Sequence, residues 1–339
     1  MKALIFGASG QIGRAIGERL LEDRWNVTCA QLGDAIPELI ALGALSVHCN
    51  RSRVDDLRRT IGDGADVVID AVAFNETDAG SLLEIQDMVK HFVVISSASV
   101  YRDDRGRTLD EAKTEGEVPQ MLVPICETQP TIAPGPATYS TRKVALERTM
   151  LDRCRSTVSI IRPCAIYGPN SKHPREWWFL KRMLDGRRRI PLRCERSRFQ
   201  TSATANIAHV IVTAIDASLS VILNAGDPYS PSVRGIGEII AAEFGWNGLF
   251  EAGSYTNEIG HTPWSSKAFE EYPFLLSMEA AASLGYEPKT SYRDFAPPTC
   301  RWLERAAEGN DWRTIFPVLL GYPELFNYAA EDAFFKASD

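Results

Sequence analysis

A tyrosine and a lysine in the stretch "ATYSTRKVALERTM" (137–150) are spaced for proton chemistry. The stretch is rich in helix formers, and on a helix Tyr139 and Lys143 share one face about one turn apart. A phenol has an ordinary pKa of about 10, and a nearby ammonium lowers it by stabilising the phenolate. Such a tyrosine can exchange a proton with a substrate hydroxyl or carbonyl. A solvated helix face that carries both residues by chance is the alternative.

Hydroxyl side chains follow the apolar run in "HFVVISSASVY" (91–101), which ends in Ser96, Ser97 and Ser99. Ligands of open parallel sheets bind at the carboxyl ends of the strands. A serine at such an end is placed to hydrogen-bond a substrate oxygen, although a strand-end cap would also use it. The sequence therefore predicts hydroxyl groups where a reacting substrate would lie.

A glycine-rich turn opens the chain in "KALIFGASGQIGRAIGERL". Gly7 permits a tight turn off the first strand, Gly10 lets the backbone approach a diphosphate, and Gly13 lets the next helix pack closely on the sheet. The unpaired N–H groups of that helix then face the phosphates. The context of strand, turn and helix favours a dinucleotide site over a glycine turn that binds nothing.

The remaining apolar runs predict the sheet that positions these groups. Strands are predicted at 3–6, 27–32, 44–50, 65–73, 91–101 and 156–169, with helical patterns between them. The 65–73 run, "ADVVIDAVA", is almost continuously apolar, as a strand buried on both faces is. This alternation predicts an α/β fold with a doubly wound parallel sheet.

Four ordered motifs carry a resemblance to a known family. They are G-x-x-G-x-x-G, S-x-x-V-Y, Y-x-x-x-K and "RPCAIYGP" (162–169), and they span residues 1 to about 215. Together they resemble the extended branch of the short-chain dehydrogenase/reductase superfamily, the branch of NAD-dependent epimerases and dehydratases. The resemblance implies a Rossmann fold with Ser97, Tyr139 and Lys143 as catalytic residues. It also implies that Lys143 binds the nicotinamide ribose.

The same resemblance implies NAD(P) as the cofactor. At the end of the second strand, "AQLGD" has Gln31 where an acid would select NAD, whereas Arg14 could face a 2′-phosphate or be an exposed helix charge. The choice stays open, with a slight preference for NADP. Asn50 stands where the family often has an Asp that contacts adenine. The cofactor-binding residues implied are Gly7, Ser9, Gly10, Gln11, Ile12, Gly13, Arg14, Gln31, Asn50, Ala71, Ala73, Lys143 and Pro163.

The sequence gives fewer signals for the substrate-binding region than for the cofactor site. We predict a dinucleotide-binding domain at 1–165, with a returning segment near 200–218, and a smaller C-terminal α/β substrate-binding domain over 166–339. Tyr101, Trp177 and Arg198 are candidate substrate contacts, with core packing the alternative for Trp177 and a surface ion pair for Arg198. Ala165 replaces an Asn that reaches the substrate phosphates in many family members. The substrate is therefore a sugar, a nucleotide sugar or another small alcohol or ketone.

Composition excludes several other classes of protein. The net charge of -7 argues against general nucleic-acid binding, and no apolar run is long enough for a membrane span. Seven dispersed cysteines predict free thiols in a cytoplasmic protein, and dispersed histidines predict no metal site. The resemblance implies a possible homodimer. The alternative function is a catalytically silent dinucleotide-binding regulator or scaffold, which has no need of the serine, tyrosine and lysine together.

Two segments are predicted to border the site or the domain surface. The proline-rich connection 101–138 leads directly into Tyr139, and we expect it to lie over the active site. The tail "LFNYAAEDAFFKASD" has the pattern of an amphipathic helix that packs on its own domain or on a partner subunit.

Overall fold

The computed structural model describes residues 1–110, 117–253, 255 and 259–338. Its strands are β1 Lys2–Phe6, β2 Asn26–Gln31, β3 Leu45–His48, β4 Ala65–Asp70, β5 Val89–Ile95, β6 Thr157–Pro163, β7 Ala165–Tyr167, β8 Arg189–Leu192, β9 Thr201–Ala203, β10 Val221–Ala225 and β11 Leu249–Ala252. Its α-helices are α1 Gln11–Glu22, α2 Pro37–Ala41, α3 Val54–Ile61, α4 Glu76–Leu83, α5 Tyr139–Arg153, α6 Trp177–Leu184, α7 Thr204–Ala217, α8 Val233–Glu243, α9 Lys267–Glu271, α10 Glu279–Ser283, α11 Tyr292–Ala307, α12 Trp312–Ile315 and α13 Tyr328–Ser338.

The main sheet has seven parallel strands in the order β10-β6-β5-β4-β1-β2-β3. Strand β1 pairs with β2 on one side and with β4 on the other, so Ile5 lies beside both Cys29 and Ile69. The chain therefore winds outward in both directions from β1, and the crevice for a ligand opens at this reversal. The predicted α/β fold with a doubly wound parallel sheet is confirmed.

Helices cover both faces of this sheet because its strands are apolar on both sides. Helices α1 and α7 pack together on one face, and α4 and α5 pack together on the other. Ile16 and Ile211 belong to the first of the two cores, whereas Leu82 and Leu146 belong to the second, and all four side chains are fully buried. The two cores fix the strand ends and helix starts that carry the site.

After β7, β8 and β9, which lie outside the main sheet, the chain returns to that sheet. Where we predicted a returning segment near 200–218, the structure has α7, and the segment then continues into β10 at the sheet edge. Strand β10 was not predicted. Its Asn224 accepts a hydrogen bond from the Tyr101 hydroxyl at 2.7 Å and ties this edge to the end of β5.

The C-terminal part packs around an aromatic core between α6, α8 and α11. Two small parallel sheets, β8 with β11 and β7 with β9, border it. The tail forms α13 and packs on its own chain, where the buried Arg182 and Glu331 form an ion pair at 2.5 Å and the Arg182 guanidinium stacks 3.7 Å from the Trp178 ring. Within the described residues, no helix combines the length and apolarity that crossing a membrane requires.

Candidate active site

The turn between β1 and α1 has the geometry that its three glycines predict. Gly7 adopts a positive φ of +84°, and its carbonyl accepts a hydrogen bond from the Gly10 N–H at 3.0 Å. A Cβ on Gly13 would lie 2.2 Å from the Gly7 carbonyl oxygen, so only glycine lets the helix approach this closely. The first turn of α1 is thereby held against the end of β1.

The start of α1 fits a bound diphosphate. The helix follows Gly10 without a side-chain cap, and its first turn carries no acidic residue. Ser9 is exposed in the turn, whereas the Ile12 side chain is buried in the core, which leaves backbone N–H groups as the donors. The Gln11 Oε1 atom is buried without a hydrogen-bond partner within the described residues. This cradle of uncapped donors is what a dinucleotide phosphate requires.

Helix α5 begins at Tyr139 because a capping box between Thr138 and Thr141 satisfies its N-terminal end. The Thr138 hydroxyl accepts from the Thr141 N–H at 3.2 Å, and the Thr141 hydroxyl accepts from the Thr138 N–H at 2.9 Å. The Ser140 hydroxyl then donates to the Ser99 carbonyl at 2.8 Å. This bond ties the first turn of α5 to the segment that follows β5, where Ser97 lies.

Ser97 and Tyr139 line one cleft of about 350 Å³ at the carboxyl end of the main sheet. The Tyr139 ring packs on Phe74, with 5.4 Å between ring centres, and keeps 37% of its surface exposed. The Ser97 hydroxyl accepts a hydrogen bond from the Ser99 N–H at 3.1 Å. The residues that line the cleft are Gln11, Ser96, Ser97, Ser99, Leu109, Tyr139, Pro163, Cys164, Ile166, His173, Arg175 and Phe199. The cleft thus joins the diphosphate cradle, through Gln11, to the two candidate catalytic hydroxyls.

Lys143 lies beneath this cleft and is almost fully buried. Its Nζ donates to the Ala73 carbonyl at 2.7 Å and to the Ile95 carbonyl at 2.9 Å, and it lies 5.8 Å from the centre of the Tyr139 ring. Burial lowers the pKa of Lys143 to about 8, against the opposing effect of nearby carboxylates. The ammonium is therefore largely charged at neutral pH and is poised to lose its proton just above it.

The pKa of Tyr139 differs from what the sequence predicts. Burial of its hydroxyl end raises that pKa above its ordinary value, and the Asp110 carboxylate adds to the rise. The Ser97 hydroxyl opposes the shift by hydrogen bonding. Lys143, which the sequence predicts to lower this pKa, is not among the groups that shift it, and its ammonium is hydrogen-bonded to two backbone carbonyls.

A buried ion-pair cluster supports the floor of the site and was missed from the sequence. Arg51 lies between Asp70, fully buried at the end of β4, and Asp78, which accepts from its Nη1 at 2.7 Å. Asp70 also accepts from the Val72 and Ala73 N–H groups at 2.8 and 2.7 Å, and so shapes the loop after β4. Its charge raises the pKa of Lys143. The available signal was a carboxylate within the apolar run 65–73.

Three residues that the sequence predicts to select or contact the adenosine part of the cofactor are held by neighbouring groups. The buried Gln31 side chain donates to the Asp34 carbonyl at 2.7 Å, and its Oε1 has no partner within the described residues. The Asn50 side-chain oxygen accepts a hydrogen bond from the Ser52 N–H at 3.1 Å. Arg14 forms an ion pair with Glu38 at 3.0 Å. Ala71 lies half-buried beside Gly7.

Two of the three predicted substrate contacts, Tyr101 and Trp177, are buried and do not line the cleft. Tyr101 is fully buried, because its hydroxyl donates to Asn224 and its ring packs 4.9 Å from the Arg162 guanidinium. Trp177 is 2% exposed and belongs to the aromatic core, next to Phe316. Neither side chain has surface for a substrate.

The third predicted contact, Arg198, is partly buried outside the cleft. Its Nε donates to the Ser230 carbonyl at 3.1 Å, and its guanidinium lies 5.2 Å from the Tyr229 ring. The next residue, Phe199, lines the cleft, so Arg198 stays a candidate at its edge.

His173 and Arg175 line the cleft and were not predicted. They lie between β7 and α6, in a segment that returns to the site after the R-P-x-x-x-Y-G-P motif. The sequence around them, "NSKHPREWW", has no periodicity to show which side chains face inward. Only the tertiary structure shows that His173 and Arg175 share a cleft with Ser97 and Tyr139.

The sheet topology, the glycine turn at its switch point and the hydroxyl-lined cleft define a dinucleotide-binding enzyme of the α/β class. The model of the NAD dependent epimerase/dehydratase family matches residues 3–226, and the chain belongs to that family. It is therefore an NAD(P)-dependent enzyme, and the resemblance drawn from the four motifs is confirmed. No curated protein matches the sequence.

Solved structures of similar fold include two epimerases and a third enzyme. A UDP-glucose 4-epimerase of Thermotoga maritima with UDP-glucose is 16% identical with a TM-score of 0.68, covering 91% of this chain and 100% of that one. A UDP-glucuronic acid 4-epimerase of Bacillus cereus with UDP-glucuronic acid and NAD is 16% identical with a TM-score of 0.67, covering 90% and 99%. The Bordetella bronchiseptica enzyme WbmH with NAD⁺ is 16% identical with a TM-score of 0.67, covering 90% and 98%. At this identity the likeness establishes the fold.

Proposed function

We propose that this chain transfers a hydride at a carbinol or carbonyl carbon of a sugar-type substrate, with Tyr139 as acid and base. The observation that supports the proposal most is the single cleft that holds Ser97 and Tyr139 together with Gln11 from the start of α1. A regulator that only bound a dinucleotide would need no such hydroxyl pair beside its cofactor. The overall outcome is oxidation, epimerisation or dehydration of the substrate.

The three candidate catalytic residues have separate roles in this proposal. During oxidation Tyr139 takes the proton of the substrate hydroxyl, and during reduction it returns the proton to the carbonyl oxygen. Ser97 hydrogen-bonds the same oxygen and fixes its position. Lys143 keeps a positive charge below the cleft at neutral pH, since its pKa is about 8. The nicotinamide, when bound, accepts or supplies the hydride.

We propose NAD as the preferred cofactor, a change from the slight preference for NADP that the sequence gives. That preference depended on Arg14 being available to a 2′-phosphate. In the structure the Arg14 guanidinium is paired with Glu38, and the Glu38 carboxylate would repel a 2′-phosphate.

The substrate class that fits best is a sugar or nucleotide sugar. Similar solved structures contain UDP-glucose and UDP-glucuronic acid, which motivates testing both compounds. Ala165 removes one amide that would reach substrate phosphates, so other groups must replace it. A cytoplasmic location and a homodimer, implied by the cysteines and by the family resemblance, stay predictions.

Replacing Tyr139 by Phe tests the proposed function. Tyr139→Phe should lower kcat by a factor of about 100 or more, because general acid–base catalysis contributes roughly that much. NAD⁺ affinity should stay within about threefold of the original, since the ring and its packing on Phe74 remain. Stopped-flow or absorbance measurement of the NADH signal gives both values.

Tyr272→Phe is the matched control, because Tyr272 is also 37% exposed but does not line the cleft. That variant should retain full turnover. Unchanged turnover in Tyr139→Phe would contradict the mechanism. Tight NAD⁺ binding without turnover on a broad panel of alcohols and sugars would instead favour a regulatory protein.

A further inference from the structure

Arg175 brings a cation into the catalytic cleft. It lies between β7 and α6, is half-buried, and lines the same cleft as Ser97 and Tyr139. Its side chain makes one hydrogen bond to the described part of the chain, a long contact of 3.5 Å from Nη1 to the Ile166 carbonyl. Within the described residues it forms no ion pair with a carboxylate, unlike the buried Arg162 and Arg182.

The protein does not neutralise this charge from the cleft side. Among the described residues, the cleft lining contains Arg175 and no carboxylate. Two acids of this region are hydrogen-bonded elsewhere: Asp110 accepts from the Ser140 N–H at 2.6 Å, and the buried Glu176 accepts from the Tyr292 hydroxyl at 3.2 Å. The charge of Arg175 opposes the rise that burial causes in the pKa of Glu176, but the two side chains form no ion pair. A half-buried guanidinium without an ion-pair partner attracts an anion, because desolvation makes an unpaired charge unfavourable.

The charge of Arg175 acts on its neighbours in the cleft. Burial and, to a smaller extent, the charge of Arg175 together lower the pKa of His173 to about 4. Burial raises the pKa of the Cys164 thiol to about 12, against the lowering effect of Arg175. Both groups are therefore neutral at pH 7, and the guanidinium supplies the formal positive charge of the cleft wall.

The wall that carries Arg175 is braced by the C-terminal region. The His173 ring stacks on Tyr322, with ring centres 5.4 Å apart and planes inclined by 11°. Pro174, between His173 and Arg175, is buried and restricts the backbone. A braced cation loses little freedom on binding an anion, which favours recognition over a mobile surface contact.

We propose that Arg175 binds an anionic oxygen group of the substrate beside the reacting carbon. The proposal rests on the proposed function and adds to it the charge of the substrate. The anion is either a sugar carboxylate or the phosphate of a nucleotide sugar, since a guanidinium binds both in the same bidentate way. Arg175 would thereby compensate for the amide that Ala165 lacks.

The test measures binding of UDP, UDP-glucose and UDP-glucuronic acid to the NAD⁺-saturated protein by calorimetry. Arg175→Gln should weaken the binding of at least UDP-glucuronic acid about tenfold or more, as expected for the loss of a charge-assisted hydrogen bond. If only UDP-glucuronic acid loses affinity, Arg175 binds the sugar carboxylate. If all three probes lose affinity equally, Arg175 binds the phosphate that they share. Arg175→Lys should recover part of the affinity because it keeps the charge.

Arg155→Gln is the control, because Arg155 is exposed and pairs with Asp87 away from the cleft. It should leave every affinity unchanged, and thermal melting should show that all variants fold. Equal affinity of the Arg175→Gln variant and the original protein for all probes, or no binding of any probe, would overturn the proposal. NAD⁺ binding is measured first: its failure contradicts the proposed function, whereas its success with unchanged probe affinities contradicts the role of Arg175 alone.

Discussion

At the scale of single residues, the sequence predicts that Tyr139 and Lys143 lie close together, but it does not predict their pKa values. The spacing of Tyr139 and Lys143 is local, so one helix turn is enough to bring them together. Their pKa values depend on burial and on the charges of Asp70 and Asp110, which approach from other elements. Arg175 was missed for the same reason, since no local pattern shows which loop side chains face a distant helix.

The ion pair between Arg14 and Glu38 gives a residue-scale prediction about the cofactor. Glu38→Gln should free the guanidinium and remove a carboxylate that would repel a 2′-phosphate. We therefore expect the ratio of NADP⁺ to NAD⁺ affinity to rise about three- to tenfold, as one exposed charge allows. Fluorescence titration with both dinucleotides measures that ratio. The exposed Glu84→Gln, whose partner is Arg58, is the control, and an unchanged ratio in Glu38→Gln would argue against Arg14 facing the ribose.

At the scale of elements, apolar runs and glycines predict the first six strands of the sheet, but two of the predicted strands run too far. Strand β5 ends at Ile95 and not at 101, and β6 ends at Pro163 and not at 169, where the chain has already formed β7 of another sheet. Strand β10 was missed because "VILNAG" is short and follows a helix from the second half of the chain. Beneath the active site, Glu147 of α5 forms a buried ion pair with Arg162 of β6 at 2.5 Å and accepts from the Ser96 hydroxyl. This pair joins the helix that carries Tyr139 to the sheet.

The buried pair leads to a prediction about stability. Glu147→Gln leaves the Arg162 charge buried without its carboxylate and should lower the free energy of unfolding by about 3 to 5 kcal/mol. The double variant with Arg162→Met should recover part of that loss, because both charges are then gone. Urea denaturation of the single and double variants measures the two effects. A loss below about 1 kcal/mol in Glu147→Gln would show that the pair does not anchor α5.

At the scale of the whole molecule, the cleft is built from both halves of the chain. The first half supplies the glycine turn, Ser97 and Tyr139, whereas His173, Arg175 and Phe199 come from beyond the predicted boundary at residue 165. The connection 101–138 lies partly outside the described residues, at 111–116. Its described part brings Leu109 to the cleft and Asp110 to the start of α5. Such long-range convergence leaves no periodic signal in a single sequence.

A buried histidine predicts how the stability of the whole molecule depends on pH. His91 in β5 is 5% exposed, contacts the Ser159 hydroxyl at 2.8 Å, and has its pKa lowered to about 4 by burial. Below about pH 6.5 the unfolded chain gains a proton at this position that the folded chain does not, so stability should fall between about pH 6.5 and 4 by up to about 3 kcal/mol. Thermal melting of the original protein and of His91→Gln across this range tests the effect. Parallel pH profiles for the two proteins would contradict it.

The central claim is that one cleft brings a dinucleotide to the hydroxyls of Ser97 and Tyr139. A crystal structure with NAD bound tests this claim most directly. We predict that the diphosphate lies against the N–H groups at the start of α1, and that the reactive nicotinamide carbon faces both hydroxyls across a gap for one substrate carbon, with reacting atoms about 3 to 3.5 Å apart. A nicotinamide ring that lies outside this cleft, or a diphosphate away from the glycine turn, would contradict the account.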